Sequence, residues 1–175
     1  MNFQPTEEQL ERCDHMESFA RSELNGSVNE RDSFDPQLWQ KCADECVLGL
    51  FVPEELGGSG LSTVSTVLAL EALGYGCEDN GLTLSLNGQI WSVQEPLLKF
   101  GTNEQQRKYL PMLCRGEMLA AHGMTEAESG SDAFALKSTA IRDGDSYMLT
   151  GEKCLVGLAP VCDLVLVFAS TNPAA

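Results

Sequence analysis

The chain has 175 residues, 43% apolar and 21% charged, the balance of a soluble globular protein rather than a disordered one. Eleven Lys and Arg against 26 Asp and Glu give a net charge of −15. That excess argues against nucleic acid and anionic membrane surfaces as partners, because phosphate recognition needs clustered cations.

No apolar run reaches the roughly 20 residues that cross a bilayer. The opening MNFQPTEEQLERCD has neither the basic start nor the apolar core of a secretion signal, so the cytoplasm is the expected location. Cys13, Cys42, Cys46, Cys77, Cys114, Cys154 and Cys162 form no compact disulfide framework. Cys42 and Cys46 lie one helical turn apart, but His15 and His122 are the only histidines and there is no CxxC pair. Buried thiols in a reducing compartment are expected, and no metal site.

In chain order, Thr6 to Gln9 fits a capping box and opens an amphipathic helix through Leu10, Cys13 and Leu24, ending near Gly26. Asp35-Pro36 opens a second helix with the apolar stripe Leu38, Trp39, Cys42, Ala43 and Cys46, and Gly49 marks its expected stop. LFVPEELGGSGLS reads as a loop. Ser62 to Leu73 resumes a helical pattern through Val64, Val67, Leu68 and Leu70. Leu82 to Phe100 is a longer apolar helix that Pro96 kinks or breaks. Thr102 to Gln105 offers a second capping box for a helix through Tyr109, Leu110 and Leu113 that ends at Gly116.

The pattern then changes to strands: Met118 to His122, Ser138 to Arg142 with a hairpin signal at Asp143-Gly144, Tyr147 to Thr150, and Val161 to Ser170. The expected architecture is α+β, with an amino-terminal all-α helical domain over 1–116 followed by an incomplete antiparallel β domain over 117–175. Incompleteness is expected because a few strands with open edges leave backbone and one apolar face uncovered.

Between the first two strands lies MTEAESGSD, Met124 to Asp132, rich in hydroxyls and in residues whose backbone can turn toward an anion or the polar edge of a cofactor. The same residue types also build ordinary turns.

The motifs around this loop resemble the acyl-CoA dehydrogenase family. FDPQLWQKCADECVLGLFVPEELGGSGLS is similar to the family's second helix and Gly-Gly turn. LLKFGTNEQQRKYLPMLCRGEMLAAHGMTEAESGSDAF resembles its most diagnostic stretch, RDGDSYMLTGEKC the hairpin that follows, and CDLVLVFASTNPA the next strand. The resemblance runs in family order along essentially the whole chain. It implies FAD as cofactor and α,β-desaturation of an acyl thioester, carried by coenzyme A or, in the specialised-metabolism branch, by an acyl-carrier protein. It also implies a homo-oligomer in the complete protein, with an electron-transfer flavoprotein as a possible acceptor.

Residue by residue, the resemblance assigns His122, Gly123, Met124, Thr125, Gly130 and Ser131 to one flavin-contacting segment and Leu155, Val156 and Gly157 to a second. Ser131 is also placed at the substrate boundary, and Gly130 is expected to allow close approach of the chain.

The departures from the family pattern are as informative. Ala127 stands where proline commonly follows Thr-Glu. Leu155, Val156, Gly157 and Leu158 stand where the family usually gives an aromatic residue, an aliphatic one, Thr or Ser, then Asn, so the aromatic cover and the hydroxyl donor are missing. The family's catalytic glutamate lies beyond Ala175; Glu126 is expected to support the loop and Glu128 to be solvated, leaving no catalytic residue to assign. Two other functions stay open on sequence: a non-catalytic or degenerate paralogue serving as a partner subunit, and a related flavin oxidase or monooxygenase.

Overall fold

The computed structural model describes residues 4–26 and 34–172. The chain divides into two compact units between Met118 and Leu119. The first is helical and the second is built from short strands, so the α+β class holds. Among the described residues no helix is long and apolar enough to cross a membrane.

Helix α1 spans Glu7–Phe19 and starts on the expected box, in which Thr6 Oγ1 accepts from the Gln9 amide and the Gln9 side chain accepts from the Thr6 amide. Such a cap contributes about 1 kcal/mol by satisfying amides the helix leaves open. A π-helical turn, Ala20–Leu24, prolongs it. Helix α2, Pro36–Asp44, is capped by Asp35, whose carboxylate accepts from the Gln37 and Leu38 amides. Leu38, Trp39, Cys42 and Ala43 are buried as the stripe requires.

Two details of α2 differ from expectation. The helix ends five residues before Gly49, because Cys46 turns the chain in the left-handed region with φ 59°, and its side chain is exposed rather than part of the stripe. Gly49 has another role. A Cβ there would lie 3.1 Å from Gly58 Cα and 3.2 Å from Cys114 Sγ, so it permits close packing instead of stopping a helix.

The glycine loop is folded tightly onto residues 49–52. Ser59, Gly60 and Leu61 amides donate to the carbonyls of Gly49, Val52 and Leu50 at 2.8–2.9 Å. At Gly58 a Cβ would sit 2.0 Å from Val52 O and 2.5 Å from Gly49 O, so no other residue fits without moving backbone. This closure covers a core of Val52, Leu56, Leu110 and Cys114, against which Phe51, Leu97 and Leu98 pack. Phe51 stacks on Trp91 with ring centres 5.4 Å apart.

Helix α3, Thr63–Gly76, is capped by Ser62 and packs on α1. Its buried face is Thr66, Ala69, Leu70 and Leu73, while Val64 and Val67 are exposed, contrary to the stripe read from sequence. The helix is apolar nearly all round, so the period does not specify a face, and α1 selects it. The long apolar segment resolves into α4 (Asn80–Gln89), a π turn (Ile90–Gln94) and α5 (Glu95–Phe100). Pro96 accounts for the break: it has no N–H, and the wider turn before it lets the Glu95 amide reach Ile90 O. Helix α6, Asn103–Cys114, opens on the second capping box, formed by Thr102 and Gln105, and carries Pro111 within it.

In the second unit β1 is Ala120–Gly123, β2 Thr139–Asp143, β3 Ser146–Thr150 and β4 Leu164–Val167. β2 and β3 form the expected antiparallel hairpin. Its loop is Gly144-Asp145, one residue later than the Asp-Gly signal suggested, and Gly144 takes the first loop position with φ 60°. β1 pairs with β4 in parallel, Ala120 opposite Leu164 through Gly123 opposite Val167, a pairing the antiparallel expectation lacked. Parallel strands need a long crossover, here the loop and hairpin between them. β4 is shorter than the predicted Val161–Ser170 strand: the Val161 amide donates to Leu158 O in a turn, and beyond Val167 the Phe168 amide donates to Gly123 O and Ser170 bridges to Thr139.

Candidate functional site

β1 delivers the chain directly into MTEAESGSD. His122 and Gly123 are the last residues of the strand, held in register opposite Leu166 and Val167. The His122 ring meets Phe168 edge-on at 5.2 Å. Burial, and then the nearby Lys153 charge, hold its pKa below the ordinary histidine value. Met124 and Thr125 follow as half-buried residues, and Glu126 is buried. Glu126 and Ser129 exchange backbone hydrogen bonds, 2.9 and 3.2 Å, and Ser129 Oγ donates to Asp132 O at 2.8 Å. The loop is therefore ordered by its own groups.

Glu126 is the centre of the arrangement. Its carboxylate accepts from the Lys137 amide at 2.6 Å, the Ser138 amide at 3.0 Å and Lys153 Nζ at 2.7 Å. The Lys153 ammonium foremost, then Ser138 and the Lys137 amide, hold its pKa down to about 2. A carboxylate with three donors and so low a pKa is a poor proton acceptor near neutrality, and its bonds tie the loop to Lys137, Ser138 and Lys153. Glu128 is exposed and pairs with Lys137 at the surface.

Lys153 also donates to Met124 O at 3.0 Å, and the next residue's amide, Cys154 N–H, donates to Thr125 O at 2.9 Å. These bonds bring the two segments singled out from sequence side by side: Met124–Thr125 in the first and the chain entering Leu155–Gly157 in the second. Gly130 and Ser131 lie further along the first loop and are exposed. Lys153 is a site residue that the sequence alone does not single out. Its only signal was its place in Gly-Glu-Lys directly after the hairpin.

The Thr125 and Ser131 hydroxyls make no hydrogen bond among the described residues, and a Cβ at Gly130 or Gly157 would meet nothing within 4 Å. Hydroxyls left available beside accessible backbone suit a cofactor's polar edge. The second segment suits it less well. Leu155 is 91% exposed with φ 55°, Leu158 has φ 63°, and neither Val156 nor Gly157 offers a donor side chain. A left-handed leucine costs roughly 1–2 kcal/mol relative to ordinary backbone.

The chain is similar over nearly its whole length to known proteins. It is 35% identical over 175 residues to L-prolyl-[peptidyl-carrier protein] dehydrogenase of Pseudomonas fluorescens, covering 99% of this chain and 46% of that protein. Among solved structures it superposes on the prolyl acyl carrier protein oxidase AnaB with a TM-score of 0.92 at 41% identity, covering 97% of this chain and 46% of AnaB. It superposes on PigA with FAD and proline with a TM-score of 0.94 at 33% identity, covering 100% and 46%. The chain thus spans about half the length of the relatives it matches. Residues 6–117 match the acyl-CoA dehydrogenase N-terminal domain and residues 121–175 the acyl-CoA dehydrogenase middle domain. The chain belongs to the acyl-CoA dehydrogenase family.

Proposed function

We propose that this chain is the amino-terminal portion of an FAD-dependent acyl thioester dehydrogenase. The observation that carries the reading is the pairing of Met124–Thr125 with the start of the Leu155–Gly157 segment through Lys153 and Cys154. Two stretches, 29 residues apart at Met124 and Lys153, which the resemblance assigns to flavin contact although the second departs from the family pattern, lie against each other.

FAD, when bound, supplies the acceptor for a hydride leaving the β carbon. The chain's own residues hold and orient. Thr125 Oγ1 and the backbone at Met124 would hold the ring's polar edge, with His122 and Gly123 leading the chain to it; exposed Gly130 and Ser131 would extend the contact, Ser131 at the substrate boundary. Val156 and Gly157, with Leu155, would form the second side. Domain limits of 1–116 and 117–175 belong to this reading. We assign no acceptor for the α proton among these residues; Glu126 is already engaged by three donors.

Carrier-protein-tethered acyl groups are the substrates we favour, supported by relatives named for prolyl carrier-protein chemistry. We further infer a homo-oligomer and an electron-transfer flavoprotein acceptor, which follow from the family, and a cytoplasmic setting, which the odd, unpatterned set of seven cysteines suits. The complete gene product should be yellow and should turn over a carrier-protein or coenzyme A thioester with an artificial electron acceptor. A folded, colourless and inactive product refutes the proposal.

A second reading has its own observation. Exposed, left-handed Leu155 and side-chain-free Gly157 favour a degenerate paralogue that keeps the scaffold as a partner subunit. It predicts no intrinsic flavin and a stable complex with a flavin-bearing protein. A flavin oxidase is distinguished from both by peroxide formed stoichiometrically during turnover in air.

A further inference from the structure

Unit 2 has little apolar packing around the loop. Among its described residues the buried apolar side chains are Ala120, Ala121 and Ala140, which are too small to fix the loop by shape. Polar contacts take over that role. The Glu126 and Lys153 side chains are 8% and 12% exposed, whereas the Glu128–Lys137 pair a few residues away is 72% and 71% exposed. Two ion pairs therefore serve the same loop, one enclosed and one solvated. Only the enclosed one bridges the two segments.

The enclosed pair is also oriented. The Lys137 and Ser138 amides fix the Glu126 carboxylate, and the carboxylate and Met124 O together fix Lys153 Nζ. The Cys154 amide then closes onto Thr125 O, and the chain enters its left-handed turn at Leu155. Consecutive residues thus set the register of one segment against the other.

We propose that Glu126 and Lys153 are positioning residues: their enclosed ion pair locks the Met124–Asp132 loop to the Leu155–Leu158 segment, fixing both stretches for the flavin without either side chain touching it. This rests on the flavin reading above. Removing the bridge should loosen both segments together and weaken cofactor binding, because a contact group loses its support. A salt bridge that served only stability would loosen the whole unit instead.

The test uses the complete gene product with Lys153→Met, Lys153→Arg, Glu126→Gln and the control Glu128→Gln. Hydrogen exchange is followed at the Cys154, Glu126 and Ser129 amides, with Leu164 and Phe168 amides as internal references; FAD affinity is measured by titration. Lys153→Met and Glu126→Gln should speed exchange at the first three amides selectively and weaken FAD binding by about tenfold or more. Lys153→Arg should restore most of both effects, since guanidinium can donate to both acceptors. Glu128→Gln should change neither.

Unchanged exchange in Lys153→Met, a rise spread equally over Leu164 and Phe168, or loosening with undiminished FAD affinity each overturns the inference. Glu128→Gln matching Lys153→Met overturns it too, as a plain charge effect. Wild-type protein that binds no FAD overturns the flavin reading and this inference with it, whereas equal binding by wild type and variants overturns this inference alone.

Discussion

Gly58→Ala should be among the most damaging single-methyl changes in the helical unit. The added Cβ would lie 2.0 Å from Val52 O, 2.6 Å from Val52 C and 2.5 Å from Gly49 O, all backbone atoms that cannot rotate away. Relief requires the loop to lift off residues 49–52, which breaks the hydrogen bonds of Ser59, Gly60 and Leu61 to Gly49, Val52 and Leu50. At about 1 kcal/mol net each, those three bonds alone amount to about 3 kcal/mol. Partial exposure of Leu56, at most 8% exposed in the native fold, adds to that. Gly74→Ala supplies a control of opposite sign: it lies exposed within α3, and its Cβ would meet nothing within 4 Å. Helix propensity then favours alanine by roughly 0.5–1 kcal/mol. Urea titration followed by far-ultraviolet circular dichroism reports both. A loss below about 1 kcal/mol for Gly58→Ala refutes the steric argument, and so does Gly74→Ala destabilising as much.

Acid should act through Glu126. Its folded pKa of about 2 lies below the usual 4.5, so its contribution is fully present above 4.5 and is lost as pH falls toward 2; the thermal midpoint of Glu126→Gln should therefore vary less with pH in that window than the wild type's. The His122 ring should titrate below 6.5 by NMR, because burial and Lys153 both disfavour its cation, and Lys153→Met should raise the midpoint. No rise would show that the Lys153 charge does not reach the ring. Leu155→Gly removes an exposed side chain and relieves φ 55°, so thermal or urea unfolding should show the chain unchanged or up to about 1 kcal/mol more stable; a loss of more than that amount would mean Leu155 packs against something in solution. The buried Cys42 and Cys114 thiols, pushed up by burial to about 12 and about 11, should react with a thiol reagent far more slowly than exposed Cys46 in the folded protein.

Signals carried by one or two neighbouring residues were legible directly. Thr6 with Gln9, Asp35 with Pro36 and Thr102 with Gln105 cap helices because the side chain reaches an amide at most three residues away, a contact local geometry guarantees. The lineage was legible for a related reason: MTEAESGSD and its flanking motifs keep their order along the chain. What escaped depended on neighbours distant in sequence. The exposed Val64 and Val67 could not be told from the buried Ala69 and Leu73 until α1 chose the face of α3. Gly49 read as a stop, yet its glycine is explained by the approach of Gly58 and Cys114. The hairpin slipped by one residue from its Asp-Gly signal, since a positive φ at Gly144 serves either turn register.

The sequence by itself determined the caps at Thr6, Asp35 and Thr102, the α+β order and the loop that marks the family. Only tertiary structure decided that β1 pairs in parallel with β4 and that Lys153 reaches back to Met124 and Glu126. Helix caps and turns are set within a few residues by backbone geometry. A buried charge finds its partner by proximity in space, and 27 positions of sequence separate Glu126 from Lys153.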